Sequence, residues 1–328
     1  MSNFPTLVFV PGAWHKPVCY NKIIKPLQET YKLKCVAITL PSTTGDPAKT
    51  FKDDLDAARK AISDEISCGR DVVVVAHSYG GMVANSAIKG FARPRGKAAK
   101  KSSPSSRSTD TQHTAGGYVV GLILIASGYT FTGLAFMDPF LGHPPPAWRV
   151  NSETGFADIV ISPRQFFYHD LPADEAEYWI SLLAPQSLKA LFEGGEYAYA
   201  GWMDVPSWYI GTIEDQGLPV VVQRMAIGMA RGMGASVVHR ELQTSHSPFL
   251  SQPQETVKIM IDAIEAFTGK PVNSAAANKR TGNEMTLPEP RLLRPITWYR
   301  FGLPLIFGRI IGNGILLFGW CRRLLGFR

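Results

Sequence analysis

Residues 71–88 read DVVVVAHSYGGMVANSAI, and a stretch like this leaves a chain few ways to fold. Four consecutive valines with no polar alternation describe a strand covered on both faces, as strands are in a parallel sheet between helical layers. A helical pattern begins almost at once after the run, so strand must become helix across His77, Ser78 and Tyr79. Ala76 and Gly80, two positions either side of the serine, and Gly81 after them are small enough for the two backbones to approach closely. The turn lifts the Ser78 hydroxyl off the end of a buried strand and leaves the Tyr79 N–H at a helix start, the arrangement of a nucleophile elbow.

The same alternation runs through the chain. Apolar, β-branched runs at Thr6–Val10, Lys34–Leu40, Asp71–Ala76, Val119–Ala126, Ser207–Thr212 and Ser236–Leu242 predict six strands. Helices are expected near Lys22–Thr30, Lys49–Cys68, Gly80–Phe91, Pro219–Arg231 and Gln252–Thr268. In the second of these, Phe51, Leu55, Ala58, Ile62 and Ile66 recur at helical spacing. The expectation is an α/β fold: a mostly parallel six-stranded sheet flanked by helices with right-handed crossovers. An aromatic-rich segment between two strands, about 129–206, predicts a helical cap insertion.

The expected domain spans 1–269, and two appendages depart from it. Residues 93–117, rich in Ser, Lys and Gly without an apolar period, read as a disordered basic insertion. After a polar linker at 270–291, residues 292–328 form a hydrophobic tail. These appendages carry 16 of the 34 Lys/Arg and three of the 27 Asp/Glu, leaving 18 basic and 24 acidic residues elsewhere. The net charge of +7 therefore lies in the appendages, and a mildly acidic core argues against nucleic-acid binding. Four scattered cysteines without a C-x-x-C pair argue against a zinc ribbon or redox pair. MSNFPTLVFVPG has no basic start and too short an apolar run for a signal peptide. The expectation is an intracellular protein, cytoplasmic or peripherally membrane-associated.

A serine on such a turn needs a base, and the base an orienting acid. With an elbow serine the chain order is Ser, acid, His. In PSWYIGTIEDQGLPV a strand ends at Glu214-Asp215; both qualify, and Asp215, further onto the loop, is preferred. In SVVHRELQTSHSPFLSQP, His246 falls in the loop after the last strand, whereas His239 lies within the strand. His77 is joined to Ser78 and expected to point away from it. The loop FVPGAWHKPVCY after the first strand supplies a second oxyanion donor, the Ala13 N–H, beside that of Tyr79. Trp14, Trp148 and Phe167 are the candidate substrate-binding residues, with cap-to-core packing as their parallel role.

LVFVPGAWH, VVAHSYGGMVA, YIGTIEDQGLPVVVQRMA and SHSPFLSQPQE together resemble the α/β-hydrolase superfamily. Within it they are similar to the plant methyl-esterase and hydroxynitrile-lyase branch and its fungal relatives, over about residues 5–268. The resemblance implies a triad of Ser78, Asp215 and His246, oxyanion donors at Ala13 and Tyr79, and no cofactor or metal. The lyase subgroup carries Thr in the oxyanion loop and Lys after the histidine; Ala13 and Ser247 stand there, which favours ester hydrolysis. The expected function is cleavage of an ester or related acyl bond in a small hydrophobic substrate. Two alternatives stay open: lyase or cyclase chemistry of the kind similar hydrolases supply in fungal secondary metabolism, and a non-catalytic ligand receptor.

Phe301–Trp320 is nearly long enough to cross a bilayer at ~1.5 Å per residue, but Pro304, Arg309 and Asn313 interrupt it. Trp298, Tyr299, Trp320 and flanking arginines are the residues of an interfacial anchor. A membrane contact through this tail, a helix packed on the domain, and disorder are the three readings, with Ser78, Asp215 and His246 all upstream of the linker.

Overall fold

The structure is a computed structural model that describes residues 4–94, 116–272, 285–286, 290–291 and 294–324. Most of the expected 93–117 insertion and 270–291 linker lies outside those residues. The strands are β1 (Thr6–Val10), β2 (Cys35–Ala37), β3 (Val72–His77), β4 (Val119–Ile125), β5 (Trp148–Asn151), β6 (Phe156–Ile159), β7 (Ser207–Thr212), β8 (Val237–Leu242) and β9 (Met285–Thr286). Among the described residues the main sheet runs β2-β1-β3-β4-β7-β8-β9. Its first six strands are parallel, and β9 adds two residues antiparallel to β8.

Every residue of β1, β3 and β7 is buried, which is what an uninterrupted apolar strand requires. β2 is shorter than the expected Lys34–Leu40, because it pairs on one side only, with β1, and its three residues are half-buried.

The helices are α1 (Asn21–Glu29), α2 (Phe51–Ser67), α3 (Gly80–Ala87), α4 (Pro163–Phe167), α5 (Ala173–Ser181), α6 (Leu188–Phe192), α7 (Val220–Gly232), α8 (Pro248–Ser251), α9 (Pro253–Thr268), α10 (Pro295–Thr297) and α11 (Leu303–Leu324). The Thr50 side chain accepts from the Asp53 N–H while the Asp53 carboxylate accepts from the Thr50 N–H, so a capping box starts α2. The five apolar positions expected to face the core on α2 are all buried. α1 packs with α9, and α2 with α3.

Between β4 and β7 the chain is less helical than its composition suggests. Three short helices accompany an antiparallel hairpin, β5 with β6, in which Trp148 pairs with Ile159. Four-residue strands carry too little period to announce themselves in sequence. This region grips the domain through main-chain contacts: Trp14 Nε1 donates to the Ala157 carbonyl at 2.9 Å, and Ser245 Oγ to the Phe167 carbonyl at 2.8 Å.

The tail is joined to the domain. A π-helical turn over Trp298–Gly302 leads into α11, which lies along α7. There the Arg224 guanidinium forms a two-pronged ion pair with the buried Glu241 carboxylate, both bonds 2.8 Å, donates to the Arg300 carbonyl at 2.9 Å, and stacks over the Phe301 ring.

Candidate active site

The elbow has the strain its sequence implies. Ser78 sits at φ 51°, a left-handed conformation that costs a side chain of this kind about 1–3 kcal/mol and persists only when its surroundings enforce it. Its N–H donates to the Ile125 carbonyl at 3.1 Å, and its carbonyl accepts from Ser127 Oγ at 2.7 Å. The glycines that follow have no room for a side chain. A Cβ on Gly80 would lie 2.2 Å from the Pro11 carbonyl oxygen, and one on Gly81 1.9 Å from Ser127 Oγ. The sequence HSYGG thus threads between the oxyanion loop and the end of β4.

Asp215 lies in the turn that leaves β7, with its side chain fully buried. Oδ1 accepts from the N–H groups of Gly217 and Leu218, both at 2.7 Å; Oδ2 accepts from Thr212 Oγ1 at 2.7 Å and Gln223 Nε2 at 3.2 Å. His246 Nδ1 completes the set, 2.7 Å from Oδ2. A carboxylate only accepts, so Nδ1 carries the proton and Nε2 is left with a free lone pair, the tautomer a general base requires. Glu214 is turned elsewhere: its carboxylate accepts from Gln243, and its carbonyl from His169.

Ser78 and His246 both line one apolar cavity of about 360 Å³, together with Ala13 and Tyr79. No hydrogen bond joins Ser78 Oγ to His246 among the described residues, a contact that commonly tightens only when substrate is bound. The N–H groups of Ala13 and Tyr79 are taken by no backbone acceptor among the described residues. The Tyr79 hydroxyl is occupied away from the cavity, donating to Asp54 Oδ2 at 2.8 Å.

Trp14, Trp148 and Phe167 all line the cavity. Trp14 adopts φ 61°, and its ring meets Trp148 edge-on at 5.9 Å. Its indole N–H is spent on the Ala157 carbonyl, so Trp14 offers a substrate only apolar surface.

Three residues take part in the site in ways the sequence reading did not anticipate. His77 does not simply point away. Its Nε2 lies 3.0 Å from the His246 carbonyl and must donate to it, with the two rings 4.6 Å apart. His15, itself in the oxyanion loop, is buried: Nδ1 donates to the Ala13 carbonyl at 2.8 Å, and Nε2 accepts from the Tyr168 hydroxyl at 2.8 Å. Burial lowers the His15 pKa to about 4 and drives that of His77 well below its ordinary value, so both are neutral. Phe166 is the third, its ring parallel to His246 at 6.4 Å. Adjacency to Ala13 and Ser78 was the available signal for the histidines, but which way they turn depends on the partner carbonyls.

Residues 7–259 match the family model described as the alpha/beta hydrolase family. A protein of Aspergillus novofumigatus (strain IBT 16806) named alpha/beta hydrolase nvfD is 30% identical over 265 residues, covering 79% of this chain and 96% of that one. Among solved structures, polyneuridine aldehyde esterase superposes with a TM-score of 0.56 at 20% identity, covering 80% of this chain and 99% of its own. Tomato methylketone synthase I, solved with 2-tridecanone, gives a TM-score of 0.59 at 15% identity, covering 81% and 100%.

Proposed function

The chain belongs to the α/β-hydrolase family and is an enzyme of hydrolase type, and from that premise we propose that it cleaves an ester or related acyl bond of a small hydrophobic substrate through Ser78, His246 and Asp215. The observation that carries the reading is that His246, paired with Asp215 at 2.7 Å, lines the same apolar cavity as a serine held on a strained elbow.

Chemistry follows from the tautomer. His246 Nε2 takes the Ser78 proton as Oγ attacks the carbonyl carbon, and the Asp215 carboxylate stabilises the imidazolium that forms. The tetrahedral oxyanion accepts from the Ala13 and Tyr79 N–H groups. Collapse expels the alcohol, which leaves with the proton from His246, and an acyl-Ser78 ester remains. Water, deprotonated by His246, then releases the acid and restores the serine. The aromatic and aliphatic lining supports a substrate that is itself mostly apolar.

Labelling the purified protein with a fluorophosphonate, alongside a panel of aryl and alkyl esters, tests this. Wild type should be labelled and turn over at least one apolar ester, and Ser78→Ala should do neither while melting normally. Equal labelling of Ser78→Ala would move the nucleophile. Labelling together with turnover that leaves no water oxygen in the product would favour non-hydrolytic chemistry on the same serine.

A further inference from the structure

The tail helix meets the domain backbone to backbone. α7 presents Gly228 and Gly232, four apart, and α11 presents Gly308 and Gly312, also four apart. A Cβ on Gly228 would lie 2.2 Å from the Leu305 carbonyl oxygen, and one on Gly232 2.6 Å from that of Arg309. In return, a Cβ on Gly308 would lie 2.0 Å from the Met225 carbonyl oxygen, and one on Gly312 2.3 Å from that of Met229. Two small-xxx-small stripes thus interlock, a packing mode that lets helices touch without large apolar side chains between them. The seated stripe of Phe301, Leu305, Gly308, Gly312 and Ile315 steps by four and three residues, one helical face.

The opposite face is apolar and uncovered: Leu303, Ile306, Phe307, Ile310 (62% exposed), Leu317 (60%) and Phe318 (66%). The segment is long and apolar enough to cross a bilayer, but its seated stripe holds it lengthwise against α7. Crossing would require tearing the glycine contacts apart. Within Leu303–Phe318 the polar residues, Arg309 and Asn313, fall at the edge between the seated and open faces. Exposed Trp298, Tyr299 and Trp320 flank that stretch, and no acidic residue follows Glu289 while seven arginines do. We infer that the open face of α11 lies in the interface of an anionic lipid bilayer, parallel to the surface, with α7 as its rigid mount. Apolar surface sinks below the headgroups, the aromatic residues sit at their level, and the exposed Arg300 and Arg309 meet their phosphates. Val222, on the turn of α7 just before Arg224, is exposed and lines the cavity, so the cavity edge shares that end of the mount. The inference stands on the helix pair and is independent of the triad chemistry.

The test uses the full-length protein with phosphatidylcholine vesicles, with and without 30% phosphatidylserine, read by co-sedimentation. The protein should pellet with the anionic vesicles, bind at least tenfold more weakly as Ile310→Glu/Leu317→Glu, and be released by alkaline carbonate as a surface-bound protein is. Trp298 and Trp320 are the exposed tryptophans, the other five being buried, so brominated lipid should quench part of the native fluorescence. Trp298→Phe/Trp320→Phe should remove that quenching, a readout that holds even if the charged double variant misfolds. Absence of both pelleting and quenching would overturn the inference. So would resistance to carbonate, which marks a spanning helix, or a vesicle-free dimer that Ile310→Glu/Leu317→Glu dissociates, which would give the face to a second copy.

Discussion

The elbow and the tail mount solve the same steric problem in opposite surroundings. Each brings two main chains close enough that a single added methylene would collide: Gly80 against the Pro11 carbonyl, Gly308 against that of Met225. At the elbow the approach is enclosed: Ser78 is bonded through its own N–H and carbonyl, and the strands around it are buried. At the mount only one side of α11 is enclosed, and the other meets solvent with large apolar side chains. Close packing at the elbow forces one residue into a strained shape for chemistry. At the mount it leaves both helices regular and fixes only where an apolar surface is held. Gly228, Gly308 and Gly312, inside their helices, cost about 1 kcal/mol each relative to alanine, so the mount has to be supported by the contact it creates.

The sharpest break of the comparison is chemical. Asp215→Asn should lower acyl transfer by about 10⁴-fold, because an amide can present its NH₂ to Nδ1 and favour the wrong tautomer of His246. Glu214→Gln, one residue away, should change it by no more than a few-fold, since that carboxylate serves Gln243. Single-turnover rates on an activated ester decide between them, and a reversal would move the orienting acid by one residue. Neither substitution should affect α11.

Next in size is steric. Gly80→Val drives its side chain into backbone that the sheet holds fixed, and should yield little folded protein. Gly308→Val and Gly312→Val collide with a helix that is free to move outward. Overpacking costs of about 1–3 kcal/mol then correspond to a melting point lower by several degrees, with the elbow and fluorophosphonate labelling retained. Loss of labelling in the tail variants would mean that α7, whose Val222, Ala226 and Met229 line the cavity, passes the disturbance into the site. The tail should therefore not be cleanly removable: ending the chain at Leu293 takes the Arg300 carbonyl from Arg224 and uncovers Gly228 and Gly232, so a lower melting point is expected even where catalysis survives.

These two regions also mark how far the sequence could be read. The sheet was legible because its strands are continuous apolar runs, and Ser78 because the strand, turn and small residues of an elbow are neighbours in the chain. Chain order nominated Asp215 and His246, but their contact needs two loops, 31 residues apart, to meet. The support beneath them was not legible. Thr212 and Gln223 hold Asp215 from a strand end and a helix, and His77 holds the main chain of His246 from across the sheet. The mount was least legible: each Gly-x-x-x-Gly looks like a poor stretch of helix until its partner, about 80 residues away, is beside it.

The smallest effect expected lies in the response to acid, where two buried groups near the elbow pull in opposite directions. Burial lowers His15 from an ordinary 6.5 to about 4. A depressed histidine contributes stability that is complete above pH 6.5 and is lost as pH falls through 4. Burial raises Asp54, beneath Tyr79, from 3.8 to about 6 despite the bonds it accepts from Ser42 and Tyr79. Its contribution is complete below pH 3.8 and lost as pH rises through 6. Each is limited to about 1.4 kcal/mol per pH unit, so between pH 4 and 6 they largely offset, and the depressed pKa of His77, of the same sign as His15, leaves a modest net loss on acidification. Substitution separates them. His15→Gln keeps a donor for the Ala13 carbonyl and an acceptor for Tyr168 while removing the acid-sensitive charge, so its urea midpoint should fall less than wild type's between pH 7 and pH 5. Asp54→Asn removes the compensating carboxyl, and its midpoint should fall more, whatever its stability at pH 7. Identical pH slopes in all three proteins would mean that folding shifts the pKa of neither group. The neutral tautomer assigned to His15 would then rest on its hydrogen bonds alone.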